Sequence, residues 1–299
     1  MKPIPKKRIY ISSPLKLSAG QLTIKEELVA ELVKRSFEPQ EFLRFGSAAQ
    51  QSWTFKNVAN LMAGSQGALI LGFARSKWEV KTGTYLMPSE YSHFEGALAL
   101  NQNIPTMIVA EHGVINRGIV STTGGEPIWY VDVSSILPVM TDAKFACAFE
   151  SWVSEIEQRP RVFLGYCGLA QNTANAIRLF IEGELGIKVF SYAADFVGGE
   201  SILDELERAA RECTCGIFLF TKDDPLESSI PSEAAPRDNV VFEAGYFIRA
   251  KSKRRTLVVR EEGAKMPADI GGNIYVSLKD REDISTIHLK LEKFLAANL

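Results

Sequence analysis

A chain of 299 residues exceeds what one hydrophobic core ordinarily serves, so two domains of about 150 residues each are expected. With 46% hydrophobic and 23% charged residues it carries apolar mass for two cores, which excludes a disordered chain. A formal net charge of -2 gives no basic footprint for nucleic acid, and the absence of an export signal or an apolar run of about 18 residues leads us to expect a cytoplasmic protein, neither exported nor membrane-bound.

Short apolar, β-branched or aromatic runs alternate with longer amphipathic segments, the pattern of βαβ units. After a basic arm at 2–8, strands are predicted at 9–12, 41–45, 68–73, 106–110 and 128–131. Helices are predicted at 23–36, 53–63, 89–101 and 142–158. The order then repeats: strands at 162–165, 187–191, 216–221, 256–260 and 274–278, helices at 170–185, 200–211, 239–250 and 283–297. Arg8-Ile-Tyr-Ile-Ser-Ser matches Arg161-Val-Phe-Leu-Gly-Tyr, and Gly67-Ala-Leu-Ile-Leu-Gly-Phe matches Gly216-Ile-Phe-Leu-Phe-Thr-Lys. The fold class expected is α/β, with two tandem flavodoxin-like, doubly wound parallel sheets. Pro160 stands directly before a strand and ends the preceding helix, which puts the boundary between domains 1–158 and 159–299. Polar insertions at 78–88 and 223–236 interrupt the pattern after each third strand, where loops rim a ligand pocket in an open α/β sheet. The basic run 251–255 suits a helix C-terminus.

Each half carries Phe-Glu followed by two small residues, Phe94-Glu95-Gly96-Ala97 and Phe242-Glu243-Ala244-Gly245, so that Glu243 follows Glu95 by 148 positions. Glu243 is expected in the first turn of its helix, where the macrodipole favours the ionised form. Such a carboxylate suits positive charge developing on an oxocarbenium-like sugar, and does not suit a general acid. A nicotinamide leaving group departs neutral from a pyridinium and needs no acid, so one carboxylate suffices. The alternative is a structural acid at a helix start. Around it, Asp238 or Asn239 can cap the helix and Arg237 can meet a phosphate. Lys222-Asp223-Asp224 lies on the same rim, or is a solvated turn.

Thr221-Lys222-Asp223-Asp224, then Pro236-Arg237-Asp238-Asn239-Val240-Val241-Phe242-Glu243-Ala244-Gly245, then Met266-Pro267-Ala268-Asp269-Ile270-Gly271-Gly272 together resemble the TIR domain of bacterial CBASS and Pycsar effectors, including the TIR-STING fusions. The resemblance covers most of 161–299. It implies an NAD+ glycohydrolase with Glu243 catalytic, NAD+ as substrate and no cofactor. It further implies that Gly165 and Tyr166 in the first strand loop, Asp195 and Phe196 in the second, and Lys222, Asp223, Arg237 and Asn239 hold the dinucleotide. Self-association into a homo-oligomer and activation by a cyclic or other nucleotide are implied as well, in an antiphage immune role. The first half is similar to nucleoside 2-deoxyribosyltransferases and their TIR-related cousins, which makes Ser12, Ser13 and Glu95 a possible second nucleotide site; Glu95 is left as catalyst, ligand contact or scaffold.

Two other functions stay open: a non-catalytic nucleotide-binding adaptor, and a nucleoside N-glycosidase or deoxyribosyltransferase working at Glu95. Cys147, Cys167, Cys213 and Cys215 show no metal spacing, and neither a Gly-x-Gly-x-x-Gly nor a P-loop motif occurs. His93, His112 and His288 are scattered, which disfavours a metal site, although His93 could line the first pocket.

Overall fold

The computed structural model describes residues 6–42, 53–81, 83–191, 201–225, 234–268, 270 and 275–299. The chain divides into two units, Lys6–Gln158 and Arg159–Leu299.

In the first unit the main elements are β1 (Arg8–Ser12), α1 (Ala19–Lys34), β2 (Glu38–Gln40), α2 (Phe55–Met62), β3 (Gly67–Gly72), the hairpin β4 (Ala74–Val80) and β5 (Gly83–Pro88), α3 (Glu90–Asn101), β6 (Thr106–Glu111), β7 (Ile128–Val131) and α4 (Ala143–Gln158). The five main strands are parallel in the order β2-β1-β3-β6-β7, the flavodoxin-like winding. Successive strand side chains point to opposite faces, and the two cores follow that alternation. Ile9, Ile11, Leu69, Leu71, Met107 and Val109 pack with Leu28 and Leu32 of α1 and Phe145, Phe149 and Ile156 of α4. Tyr10, Ala68, Ile70 and Ile108 pack with Val58 and Met62 of α2 and Leu98 and Ala99 of α3.

The second unit repeats the design with β8 (Val162–Gly165), α5 (Gln171–Leu179), β9 (Val189–Ser191), α6 (Ile202–Glu212), β10 (Cys215–Phe220), the short antiparallel pair β11 (Asp224–Pro225) and β12 (Ala234–Ala235), α7 (Asp238–Lys251), β13 (Thr256–Glu261), β14 (Tyr275–Leu278) and α8 (His288–Asn298). Its parallel order β14-β13-β10-β8-β9 is the same winding read from the other edge. Phe163, Phe218 and Phe247 meet with ring centroids 4.8 to 5.7 Å apart and tie β8 and β10 to α7. Each is fully buried, worth about 1.5–3 kcal/mol per ring.

Several expectations need correction. The second strand is Glu38–Gln40 rather than 41–45, of which 43–45 lie outside the described residues. The helix before it stops at Lys34, Ser36 turns the chain at φ 66°, and Phe37 drops into the core, so the chain enters the sheet early. Pro39 is tolerated because β2 is an edge strand. The insertion at 78–88 belongs to a two-stranded hairpin that turns through Gly83 at φ 144°. The helix expected at 170–185 changes after Leu179 into a π turn, Phe180–Glu184, in which Phe180 and Ile181 are both buried. The repeat also aligns one residue differently in the third strand: Ile9 pairs with Gly67 and Val162 with Cys215, so Gly67 corresponds to Cys215 and not to Gly216. A one-residue slip would turn every side chain to the wrong face.

Candidate functional site

Glu243 is the sixth residue of α7 and therefore lies in the second turn, not the first. The macrodipole acts mainly within the first turn, so the carboxylate is positioned by packing rather than by the helix end. Val240, Ala244 and Phe247 are buried alongside it at helical spacing, and Glu243 itself is 5% exposed. It therefore sits on the face that α7 turns to the sheet. The cap expected from Asp238 or Asn239 is also absent: Arg237 is the capping residue and makes no side-chain cap bond. Asp223 reaches across from the end of β10 instead, accepting the Arg237 backbone N–H on Oδ2 at 3.2 Å.

Gly165 ends β8 directly against this carboxylate. A Cβ built on Gly165 would lie 2.9 Å from Glu243 Oε2 and 2.6 Å from Cδ1 of Phe218. Only glycine lets the strand backbone, the phenyl ring and the carboxylate converge there. Tyr166, half-buried against the same core, follows directly, and burial raises its phenol pKa. Cys167 is buried with its Sγ 4.0 Å from Thr221 Oγ1; burial first, and then the Asp223 carboxylate, push its thiol up, the opposite of a reactive cysteine.

Asp223 is committed to the protein. It accepts the Thr221 hydroxyl at 2.8 and 3.0 Å, and its Oδ1 is 3.6 Å from Arg281 Nη2. Lys222 donates its backbone N–H to Glu261 Oε2 at 2.8 Å and places Nζ 3.6 Å from Glu261 Oε1. Arg281 closes the set, donating Nε to Glu261 Oε2 at 2.8 Å and Nη2 to the Lys222 carbonyl at 3.0 Å. This network pins the ends of β10 and β13 to the chain after β14 and to the start of α7. Glu261 and Arg281 went unnoticed in the sequence, where no local spacing joins them to Lys222. Arg237 extends into solvent and pairs with Asp224 at 3.0 Å, an exposed ion pair worth roughly 0–1 kcal/mol. Asn239 is exposed in the first turn. Asp195 and Phe196 lie outside the described residues. The structure thus brings Gly165 and Glu243 together, with Tyr166 adjoining, and assigns Lys222 and Asp223 to the supporting network.

In the first unit Glu95 is likewise the sixth residue of its helix, and it is 6% exposed. Its surroundings are polar. Trp53 donates its indole N–H to Glu95 Oε1 at 3.1 Å, and the hydroxyls of Ser12 and Tyr10 adjoin it. Burial raises the Glu95 pKa, partly offset by Ser12, Trp53 and Tyr10. Ser13 turns away, accepting Lys25 Nζ at 3.1 Å, and Lys25 pairs with Glu41 at 2.8 Å. His93 does not serve the pocket: its Nδ1 accepts the Ile119 backbone N–H at 3.2 Å, and burial lowers its pKa. Among the described residues no group of three or more His, Cys, Asp or Glu could hold a metal ion, and no helix is long and apolar enough to cross a membrane.

The second unit is thus a doubly wound parallel sheet with a helix-borne carboxylate against the end of its first strand. Residues 161–280 match the family described as the TIR domain of CAP12/Pycsar effector protein, so most of the second unit is similar to that domain. The chain is similar to CD-NTase-associated protein 12 of Flavobacterium daejeonense, 35% identical over 117 residues that make up 38% of this chain and 36% of that protein. It is also similar to the Pycsar effector protein BcPycTIR of Burkholderia cepacia, 36% identical over 72 residues, 23% of this chain and 24% of the relative. The chain therefore spans about a third or less of the length of these relatives. Among solved structures, the TIR domain of a Toll-related receptor from Hydra magnipapillata aligns with 46% of this chain and 98% of its own at 13% identity, with a TM-score of 0.35.

Proposed function

We propose that the second unit is an NAD+ glycohydrolase in which Glu243 stabilises the positive charge that develops on the ribose as the nicotinamide bond breaks. The observation that carries this reading is the approach of the Glu243 carboxylate to Gly165 at the carboxyl end of β8, the edge of an open sheet where ligands bind. The bond between C1′ and the pyridinium nitrogen breaks, its electron pair leaves with neutral nicotinamide, and water supplies a hydroxyl to C1′ and a proton to solvent. An internal hydroxyl in place of water would give a cyclic ADP-ribose. No protonated partner is required, which fits a site whose second nearby acid, Asp223, is held by Thr221, Arg237 and Arg281.

The similarity to CD-NTase-associated protein 12 and to Pycsar effector proteins supports placing this activity in a bacterial, cytoplasmic antiphage effector that is switched on by a nucleotide signal or by self-association. The test is mass spectrometry of NAD+ incubated with the purified chain, with and without a panel of cyclic nucleotides. Nicotinamide and ADP-ribose should form, and Glu243→Gln should lower the rate at least ~100-fold, the order found when one electrostatic stabiliser is removed. Equal rates for wild type and Glu243→Gln under every condition would sink the reading.

A further inference from the structure

Two stretches of chain bring Glu243 to Gly165: the one that leaves β8 for α5 and the one that enters α7. Arg281 is bonded into both. On the first side its Nη1 donates to the Leu169 carbonyl at 3.5 Å, and its own carbonyl accepts the Thr173 hydroxyl at 2.9 Å. On the second side the link runs through Asp223, whose Oδ1 is 3.6 Å from Arg281 Nη2 and whose Oδ2 accepts the backbone N–H of Arg237, the residue that precedes α7.

Arg281 is also the cation between two acids. The Asp223 side chain is fully buried and that of Glu261 is 10% exposed. Glu261 Oε2 lies 2.8 Å from Arg281 Nε and 2.7 Å from Nη2. The other groups facing the two acids are the Lys222 ammonium, 3.6 Å from Glu261 Oε1, and the Thr221 hydroxyl and Cys167 thiol beside Asp223. Among the described residues Arg281 is the one cation within ion-pair distance of Asp223. Loss of the guanidinium would leave one acid with no counter-charge and the other with a partly exposed lysine, and a buried charge stripped of its partner is strongly destabilising. The ends of β10 and β13, which carry these acids, would then part, and the entrance to α7 would move with Asp223.

We propose that Arg281 is a positioning residue for the Glu243 site: by compensating Asp223 and Glu261 it holds the chain after β8 and the start of α7 at the spacing that brings the Glu243 carboxylate to Gly165. Its part is to place Glu243, not to meet the substrate. Its consequence for turnover rests on the glycohydrolase reading above; its consequence for the placement of α7 does not.

Arg281→Gln and the double variant Arg281→Gln with Glu261→Gln test this on the whole chain. In the double variant one acid no longer needs a counter-charge, while the introduced amide oxygen can still accept the Lys222 N–H. Hydrogen exchange reads the placement without substrate. In Arg281→Gln the amides of 221–223 and 237–243 should exchange about tenfold faster than in the wild type while those of β8 keep their rate, and the double variant should recover at least about half of that change on a logarithmic scale. In NAD+ cleavage Arg281→Gln should lower kcat about tenfold with KM within about twofold of the wild type, and the double variant should regain about threefold in kcat. The proposal is overturned if exchange over 237–243 is unchanged in Arg281→Gln, or if the double variant exchanges as fast as Arg281→Gln. Exchange accelerated equally in β8 would mean general unfolding, and a tenfold rise in KM at unchanged kcat would make Arg281 a substrate contact; either result overturns it too. A wild type that cleaves no NAD+ would sink the glycohydrolase reading alone, and the exchange rates would still decide whether Arg281 places α7.

Discussion

Glu95 and Glu243 occupy the same place in two copies of one fold, the sixth residue of the helix after the third main strand, yet the first adjoins the hydroxyls of β1 whereas the second lies against the bare backbone of Gly165. The difference is written on the first strand. By register Tyr10 corresponds to Phe163 and Ser12 to Gly165, so the first copy has two hydroxyls where the second has a phenyl ring and a bare backbone. The third strand compensates: Ile70 stands opposite Ser12, whereas Phe218 stands opposite Gly165 and fills the space that a side chain there would need. A duplicated fold therefore preserves where a carboxylate stands while two positions on a neighbouring strand change what lies beside it: hydroxyls that hydrogen-bond to the acid in the first copy, and in the second a glycine that lets it approach the strand backbone.

The largest effect that would separate the two copies is on turnover. Glu243→Gln should lower NAD+ cleavage at least ~100-fold, about 2.7 kcal/mol of transition-state stabilisation, with the melting temperature little changed. The matched Glu95→Gln should have an effect at least tenfold smaller on the same assay, on the order of 1.4 kcal/mol less. Equal losses from both substitutions would mean that the two acids share one reaction and would break the distinction drawn here. Next in size is Gly165→Ser, which imports the first copy's residue into the second. Its Cβ would stand 2.6 Å from the Phe218 ring and 2.9 Å from Glu243 Oε2, so overpacking should cost about 1–3 kcal/mol in chemical denaturation and move the carboxylate enough to depress turnover. A stable and fully active Gly165→Ser would show that the close approach is incidental. The double variant Gly165→Ser with Phe218→Ile, which restores the first copy's pairing, should recover part of the stability and none of the rate.

Much of this was legible in the sequence because repetition and period 2 or 3.6 patterning are local signals. The two halves, the strand order and the paired glutamates all follow from short runs and their offset. What escaped was set by contacts distant in the chain. Trp53 reaches Glu95 across 42 positions, and Arg281 reaches Lys222 across 59. The hairpin Ala74–Val80 with Gly83–Pro88 was missed because the residues from Arg75 to Glu79 are all exposed, so no buried face marks them as a strand. Glu243 is the fifth residue even of a helix starting at Asn239 and the sixth of the helix that starts at Asp238, so either start carries it past the first turn.

The smallest effect, and the most discriminating, concerns protons in the first copy. Burial holds the Glu95 pKa above its ordinary value of 4.5, with Ser12, Trp53 and Tyr10 opposing that rise. The folded state therefore binds more protons than the unfolded chain once pH climbs past 4.5, so the contribution of Glu95 to stability is fully present below that pH and is lost as pH rises through the raised value. Glu95→Gln cannot titrate, so its melting temperature should gain on the wild type as pH is raised from 4 toward neutrality. Tyr10→Phe gives the converse. It removes one of the groups that favour the ionised acid, so the Glu95 pKa rises further and the melting temperature of Tyr10→Phe should lose ground to the wild type as pH increases. Melting curves of the three proteins between pH 4 and 8 check both signs. If Tyr10→Phe instead gained on the wild type with rising pH, the tyrosine hydroxyl would be opposing the Glu95 charge rather than supporting it, and the polar character assigned to the surroundings of Glu95 would fail at its centre.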